Sequence, residues 1–450
     1  MDVFDLIIIG AGPGGYIAAE RAGSLGKNVL LIERDQMGGV CTNLGCIPTK
    51  SLLNAAKLYR SAQESEKMGV TATSVDFNLT TAMKWKQETV ETLRSGITFL
   101  MKNAKVTVVF GEAVCLDANH VQVGKTVYEG TDLIIATGSS PAVPPIPGHD
   151  LPHVVTSNEI LSIEKLPTSL AIIGGGVIGV EFASFFASVG VKVSIIEMMD
   201  EILPMMDGEF AKLMRREMKP VEFRLGCKVT EITRDGVKYT DAKGAVQNQA
   251  ADMVLLSVGR KPNLEALQAL NLDTNRLGVV VDDQLRTNIP HVYAIGDVNG
   301  KSLLAHSASR MAEVVVANLY GENKQKMRYQ AIPWAVYGIP EAAGCGLTES
   351  EAKKSGREIV TATTQMRANG RFLAEHGKRA AGLCKVVADA KTKAILGVHL
   401  LGPYSSEIIY GAAAIIEAEL RIKDVKEIVF PHPSVSEIIR DTLFAIEGTL

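Results

Sequence analysis

Residues Asp5 to Glu33 read DLIIIGAGPGGYIAAERAGSLGKNVLLIE. Leu6 to Ile9 is an unbroken apolar run, the pattern of a strand buried on both faces. The turn Gly10-x-Gly12-x-x-Gly15 follows. Tyr16 onward has helical periodicity, and Gly26 sits where a helix C′ glycine belongs. Val29 to Glu33 is a second apolar strand. The first glycine permits a tight turn, the second lets the backbone approach a pyrophosphate, and the third lets helix and strand touch. The helix N-terminus offers N–H donors and a positive dipole end to phosphates. Glu33, closing the second strand, is placed to accept from a ribose hydroxyl. Glycine turns alone are a weak signal; strand, turn, helix, strand and terminal acid together predict a dinucleotide site.

The pattern recurs. Leu170 to Glu197 reads LAIIGGGVIGVEFASFFASVGVKVSIIE, with Gly174, Gly176 and Gly179 in the turn. Gly10 to Glu33 and Gly174 to Glu197 both span 23 positions. A carboxylate at Glu197 accepts from the 2′-hydroxyl of NAD and repels the 2′-phosphate of NADP. Met198, Met199, Asp200 and Glu201 include no arginine to hold such a phosphate, so NAD is favoured. Two such units in one chain point to two dinucleotides that exchange electrons. One cofactor beside a degenerate copy is the duller alternative, but both copies are complete.

Between and beyond them the chain keeps an α/β character. Trp85 to Asn103 is amphipathic and predicts a helix. VTVVFGEAV, HVQVG and DLIIATG predict strands, and Ser139 to Gly148 (SSPAVPPIPG) is a proline-rich boundary. VYAIGDV (Val292 to Val298) predicts a short strand ending at an acid. From about Gln330 strands and helices mix with no nucleotide fingerprint.

The 450 residues are 46% hydrophobic and 22% charged, which leaves room for two to four domains. A net charge of −3 argues against nucleic acid or an anionic membrane as partner. No apolar run reaches the roughly 18 residues that span a bilayer. The first such run has no basic region before it and reads as a strand, not a secretion signal. Six cysteines, at 41, 46, 115, 227, 345 and 384, are too sparse for a secreted disulfide scaffold. A reducing compartment, the cytoplasm, is expected, with the last four as small buried hydrophobes.

GGVCTNLGCIPTK (Gly38 to Lys50) holds the close pair Cys41 and Cys46, and the stretch from Cys41 to about Ser65 reads as a cysteine loop followed by a helix. In an ideal helix residues five apart have Cα atoms on the order of 8–9 Å apart. That exceeds the roughly 7 Å reach of a disulfide. A bridge therefore needs a distorted turn, which Gly45 could supply, and Pro48 suits the first turn of a following helix. A helix N-terminus stabilises a thiolate. Lys50, four residues after Cys46, would add an ammonium on the same face. A metal site would need further Cys or His ligands at short spacing, and none lie nearby. Two inert, unlinked thiols fit the spacing as well.

This segment is similar to the redox-active signature of the pyridine nucleotide–disulfide oxidoreductases, most of all to their dihydrolipoamide dehydrogenase branch. The likeness runs along the whole chain: both fingerprints, ATGSSP (Ala136 to Pro141), SVGRKPN (Ser257 to Asn263), YAIGDV and PHPSVSE (Pro431 to Glu437). It implies an α/β fold of two Rossmann-like domains plus an α+β C-terminal dimerisation domain. The expected parts are FAD-binding residues 1–145, NAD-binding residues 146–262, a second FAD part at 263–328, and an interface domain at 329–450.

The resemblance also implies roles. Cys41 would exchange with the dithiol and Cys46 would face the flavin. Lys50 would sit by the flavin and pair with Glu181. Asp297 would hold the ribityl chain, with Thr137, Gly138 and Gly259 in the conserved cofactor-binding segments. His432 would be the base and Glu437 its orienting partner, serving the other subunit of an obligate homodimer. Without the resemblance, Ser434-x-x-Glu437 is equally a helix capping box. The implied reaction takes two electrons from a protein-bound dihydrolipoamide, through the disulfide and FAD, to NAD⁺. Its partner would be a lipoyl-bearing protein of a 2-oxoacid dehydrogenase or glycine cleavage system, since the chain begins at the FAD strand with no lipoyl domain of its own.

Two positions depart from the branch: Phe430 stands where a second His is frequent, and Ser434 where Thr is usual. Both bear on the identity of the disulfide substrate more than on redox chemistry. Rival readings are another NADH-dependent disulfide or metal reductase of the family, or a structural subunit that keeps FAD for folding. A mercuric reductase would usually end in a Cys pair, whereas this chain ends Glu447-Gly448-Thr449-Leu450.

Overall fold

The computed structural model describes residues 3–447; the last three residues of the chain's ending lie outside them. The first unit opens with strand β1 (Val3–Ile9), helix α1 (Pro13–Ser24) and strand β2 (Val29–Glu33). Helix α2 (Gly39–Leu44), helix α3 (Cys46–Gln63) and helix α4 (Leu79–Asn103) come next. Strands β3 (Thr107–Phe110), β4 (Ala113–Cys115), β5 (His120–Val123) and β6 (Thr126–Ile135) complete its first pass. The sheet order is β3-β2-β1-β6-β5-β4, and the distant strand Val292–Ala294 pairs with β6. β1 runs parallel to β2 and β6, with Ile9 opposite Ile32 and Ile135. Leu6, Ile8, Leu30 and Ile134 are fully buried, as a parallel sheet covered on both faces requires.

The second unit repeats this plan on a five-stranded parallel sheet. Its strands follow the order Val221–Arg224, Lys192–Ile196, Ser169–Ile173, Met253–Leu256, Val154–Val155. Helix Val177–Ser188 packs on it, burying Phe182, Phe185 and Phe186. A three-stranded antiparallel sheet, Lys228–Thr233, Gly236–Thr240 and Val246–Ala250, is added before the last strand. From Trp334 a five-stranded antiparallel sheet forms the third unit. Helices Ser405–Glu417 and Glu437–Glu447 cover it.

Three expectations need correction. The amphipathic helix starts at Leu79, six residues before Trp85, because the Asn78 side chain accepts from Thr81 N–H at 2.9 Å and caps it. VYAIGDV is a strand only to Ala294; Gly296, at φ +72°, turns the chain into a 3₁₀ turn that carries Asp297. Cys41 lies on the short helix α2, not in a loop.

The turn chemistry is shared by both nucleotide units. Gly10 and Gly174 take φ of +101° and +108°. A Cβ on Gly15 would lie 1.8 Å from Gly10 O, and one on Gly179 2.2 Å from Gly174 O. By contrast, a Cβ on Gly12 or Gly176 would meet nothing within 4 Å. We therefore expect Gly15→Ala to destabilise the first unit by about 1–3 kcal/mol through overpacking. Gly12→Ala should leave the urea midpoint unchanged, and equal midpoints for the two variants would refute this account of the turn.

Candidate active site

Each fingerprint ends at its acid as the spacing predicts. Glu33 is buried at the end of β2; its Oε2 accepts from Ala11 N–H at 2.7 Å and its Oε1 from Asp35 N–H at 2.9 Å. Glu197 does the same with Gly175 N–H and, at 2.7 Å, Met199 N–H. These bonds aim both carboxylates at their glycine turns and leave lone pairs for a ribose hydroxyl. No side chain caps the N-terminus of α1 or of Val177–Ser188. The open space at Gly12 and Gly176 is where a pyrophosphate would meet those N–H groups. The residues present fit two dinucleotides, one at each unit.

Between the units, Thr137 and Gly138 are tied to Asn263. Thr137 Oγ1 donates to Asn263 O at 2.7 Å, Asn263 Nδ2 donates back to Thr137 O at 2.9 Å, and Asn263 N–H donates to Gly138 O. Gly259, at φ +111°, accepts from Ala142 N–H through its carbonyl. Asp297 accepts from Ser139 Oγ at 2.5 Å. Arg260 binds the same serine through Nε (2.7 Å) and Nη2 to its carbonyl (2.6 Å), and its Nε lies 3.7 Å from Asp297. Arg260 and Ser139 were not read as site residues: their meaning depends on a contact across 121 positions.

The redox segment is built around a helix break. Gly45, at φ −149° and ψ −108°, ends α2 and starts α3, so Cys46 opens a helix while Cys41 lies inside the previous one. Both thiols are free and half-buried. Cys41 hydrogen-bonds to Cys46, and that contact, with burial, pushes the Cys41 thiol up. The same hydrogen bond, helped by the Lys50 ammonium, brings Cys46 down to about 7 against the opposing effects of burial and Glu181. The pair is thus asymmetric: Cys46 carries the thiolate and Cys41 the proton.

Lys50 makes an ion pair with Glu181 on helix Val177–Ser188, 2.8 and 3.0 Å to the two oxygens. Glu181 is buried and its Oε1 also accepts from Tyr337 N–H at 3.0 Å. The Tyr337 ring centroid lies 4.7 Å from Lys50 Nζ, close enough for a cation–π contact. Tyr337 also escaped sequence reasoning, since nothing local marks it.

His432 and Glu437 are in the third unit. His432 Nδ1 is 3.1 and 3.2 Å from the Glu437 oxygens, and Glu437 Oε2 also accepts from Ser434 N–H at 2.9 Å. The Glu437 carboxylate thus meets both the imidazole and the Ser434 backbone, but the full capping box is not among the described bonds: the helix begins at Glu437, and Ser434 Oγ pairs instead with Ser436 Oγ at 2.7 Å. The Ser434 N–H, then His432, hold the Glu437 carboxyl below its usual range. An ionised carboxylate only accepts, so Nδ1 donates and Nε2 is left free for a proton. The imidazole is 79% exposed and none of its described hydrogen bonds reaches Cys41 or Cys46 of its own chain.

A thiol pair beside two nucleotide units defines an FAD-dependent, NAD-linked disulfide oxidoreductase. The chain belongs to the pyridine nucleotide-disulphide oxidoreductase family, which residues 4–312 match, while residues 332–443 match that family's dimerisation domain. It is 36% identical over 463 residues to a dihydrolipoyl dehydrogenase of Geobacillus stearothermophilus, covering 99% of this chain and 96% of that one. A dihydrolipoyl dehydrogenase of Bacillus subtilis is 37% identical over 453 residues, with 96% and 94% covered. Among solved structures, a Cu(II) complex of the HOCl-induced flavoprotein disulfide reductase RclA from Escherichia coli superposes with a TM-score of 0.88. It is 30% identical, with 99% of this chain and 100% of that one covered.

The electrostatics give opposite signs for two substitutions. Removing the ammonium with Lys50→Met should raise the Cys46 pKa above about 7, by roughly 1–3 units. Glu181→Gln should lower it, because the carboxylate opposes the thiolate. Thiolate absorbance of the reduced protein against pH checks both, and shifts of the same sign would refute the assignment.

Proposed function

We propose that this chain is the dihydrolipoyl dehydrogenase of a lipoyl-dependent enzyme system, working as a homodimer in the cytoplasm. The observation that carries the reading is the asymmetric pair, Cys46 held near neutrality while Cys41 stays protonated. The buried, unbridged Cys115, Cys227, Cys345 and Cys384 agree with a reducing compartment. No helix among the described residues is long and apolar enough to cross a membrane.

In the oxidised enzyme, His432 Nε2 takes a proton from one thiol of the dihydrolipoyl group. The resulting thiolate attacks Cys41 Sγ. The Cys41–Cys46 bond breaks and its electron pair leaves on Cys46, the better-stabilised sulfur. The second substrate thiol then attacks the mixed disulfide; Cys41 departs and takes the proton held on His432, and the imidazole in turn accepts the proton of the attacking thiol, so that Cys41 ends as a thiol and His432 protonated. The substrate is oxidised to its cyclic disulfide and the cysteine pair is reduced by two electrons. FAD, when bound, supplies the two-electron relay from this pair to NAD⁺. Lys50 keeps positive charge where the Cys46 thiolate forms. Glu437 holds the imidazole so that Nε2 faces outward, toward the pair of the partner subunit.

Phe430, in place of a frequent histidine, and the likeness to RclA support a second reading, a reductase of another disulfide or of a metal ion. Anaerobic titration with dithionite and then NADH tests the redox pair: a long-wavelength band near two-electron reduction is expected. Bleaching without that band would leave a simple NADH-linked flavoprotein. Turnover with lipoamide then separates the two substrates, and its absence despite the band would favour the second reading. His432→Gln should slow lipoamide turnover roughly 10²–10⁴-fold and leave NADH–ferricyanide turnover intact. Equal loss of both activities would remove His432 from the thiol chemistry.

A further inference from the structure

The sulfur that meets substrate rides on α2, a helix of only six residues between Gly38 and Gly45. So short a helix does not hold itself together in water; its place must come from contacts outside it. Thr42 is buried, but the polar work is done by Asn43, midway between the cysteines. Its Nδ2 donates to Met37 O at 3.0 Å and Gly39 O at 2.8 Å. Its Oδ1 accepts two bonds from Arg94 on α4, from Nε at 3.0 Å and Nη2 at 2.9 Å. All four hydrogen-bonding positions of the amide are thus filled. Arg94 has no carboxylate among its described partners; its planar fork, which suits a carboxylate, is spent on a neutral amide.

We propose that Arg94 is a positioning residue for the redox pair: acting through Asn43, it fixes α2 against α4 and so holds Cys41 within bonding reach of Cys46. Arg94 makes no described contact with either sulfur, so its action is geometric. Loosening α2 lowers the effective concentration of one sulfur at the other, which weakens the disulfide against external thiols. The Cys41 hydrogen bond is also the leading influence that lowers Cys46, so a displaced Cys41 should raise the Cys46 pKa. The proposal rests on the reading of Cys41–Cys46 as the redox pair.

The test uses the holoenzyme equilibrated in glutathione buffers, with the Cys41–Cys46 bond scored by alkylation and mass spectrometry. In Arg94→Met and in Asn43→Ala the equilibrium constant for closing the disulfide should fall about tenfold, and the thiolate titration should move upward. The double variant should match either single one, because the two residues act as one clamp. Arg94→Lys, which keeps one donor, should recover part of the loss, and NADH–ferricyanide turnover should be unchanged throughout. Leu93→Ala, one residue away on the exposed side of α4, is the control for general loosening of that helix. Wild-type equilibrium and titration in Arg94→Met would overturn the proposal alone. Additive losses, or equal losses in Leu93→Ala, would overturn it in favour of plain helix stability. A wild-type enzyme that forms no disulfide would sink both the proposal and the reading beneath it.

Discussion

A single buried carboxylate joins the three units of this protein. Glu181 comes from the second nucleotide unit, Lys50 from the helix that begins at Cys46, and the Tyr337 N–H from the edge of the antiparallel unit. A buried charge is tolerated only when it is paired and its remaining lone pairs are filled. Glu181 is 3% exposed and meets that condition only if both partners, Lys50 and the Tyr337 N–H, arrive. The arrangement therefore fixes how α3 sits against helix Val177–Ser188, and with it the place of Cys46 relative to the nucleotide turns. Stability and redox chemistry draw on the same contact.

That contact also makes the two sulfurs unequal. Lys50 favours a negative charge on Cys46, Glu181 opposes it, and the Cys41 proton tips the balance. A second centre nearby follows similar logic: Arg260 and Asp297 converge on Ser139, so a half-buried cation and a half-buried acid share one hydroxyl. Charge is placed here by pairs and triads drawn from different segments, seldom by neighbours in the chain.

Much of this was legible in the sequence, for a physical reason. The nucleotide turns are local: apolar strand, three glycines and a terminal acid must occur at fixed spacing for the backbone to close, so Gly15 and Glu33 announce themselves. The helix break at Gly45 was readable too, because five residues of regular helix keep the sulfurs apart. The Ser434–Glu437 spacing allowed a cap or a dyad; the structure has the His432–Glu437 contact and only the backbone half of a cap, from Ser434 N–H to the Glu437 carboxylate. What stayed hidden depends on long separations. Arg94 meets Asn43 across 51 positions and Tyr337 meets Glu181 across 156. The antiparallel sheet at 228–250 was also missed, since its strands Val246–Ala250 and Lys228–Thr233 are largely polar and lack a clear apolar alternation. The early start of α4 was lost because a lone Asn78 resembles any loop residue.

The sheet order bears on how the chain emerges from the ribosome. The second nucleotide unit is contiguous: its parallel strands all lie between Val154 and Leu256. The first sheet receives its last strand, Val292–Ala294, only after that whole unit has been made. Domains tend to fold as units during synthesis, and closing a longer loop carries a larger entropic cost. The unit that starts the chain is therefore finished second, and its β6 edge waits exposed while the inserted unit folds. For that interval the nascent chain offers a bare parallel edge, the kind that recruits other strands, and protection of that edge during translation becomes a demand of the topology itself.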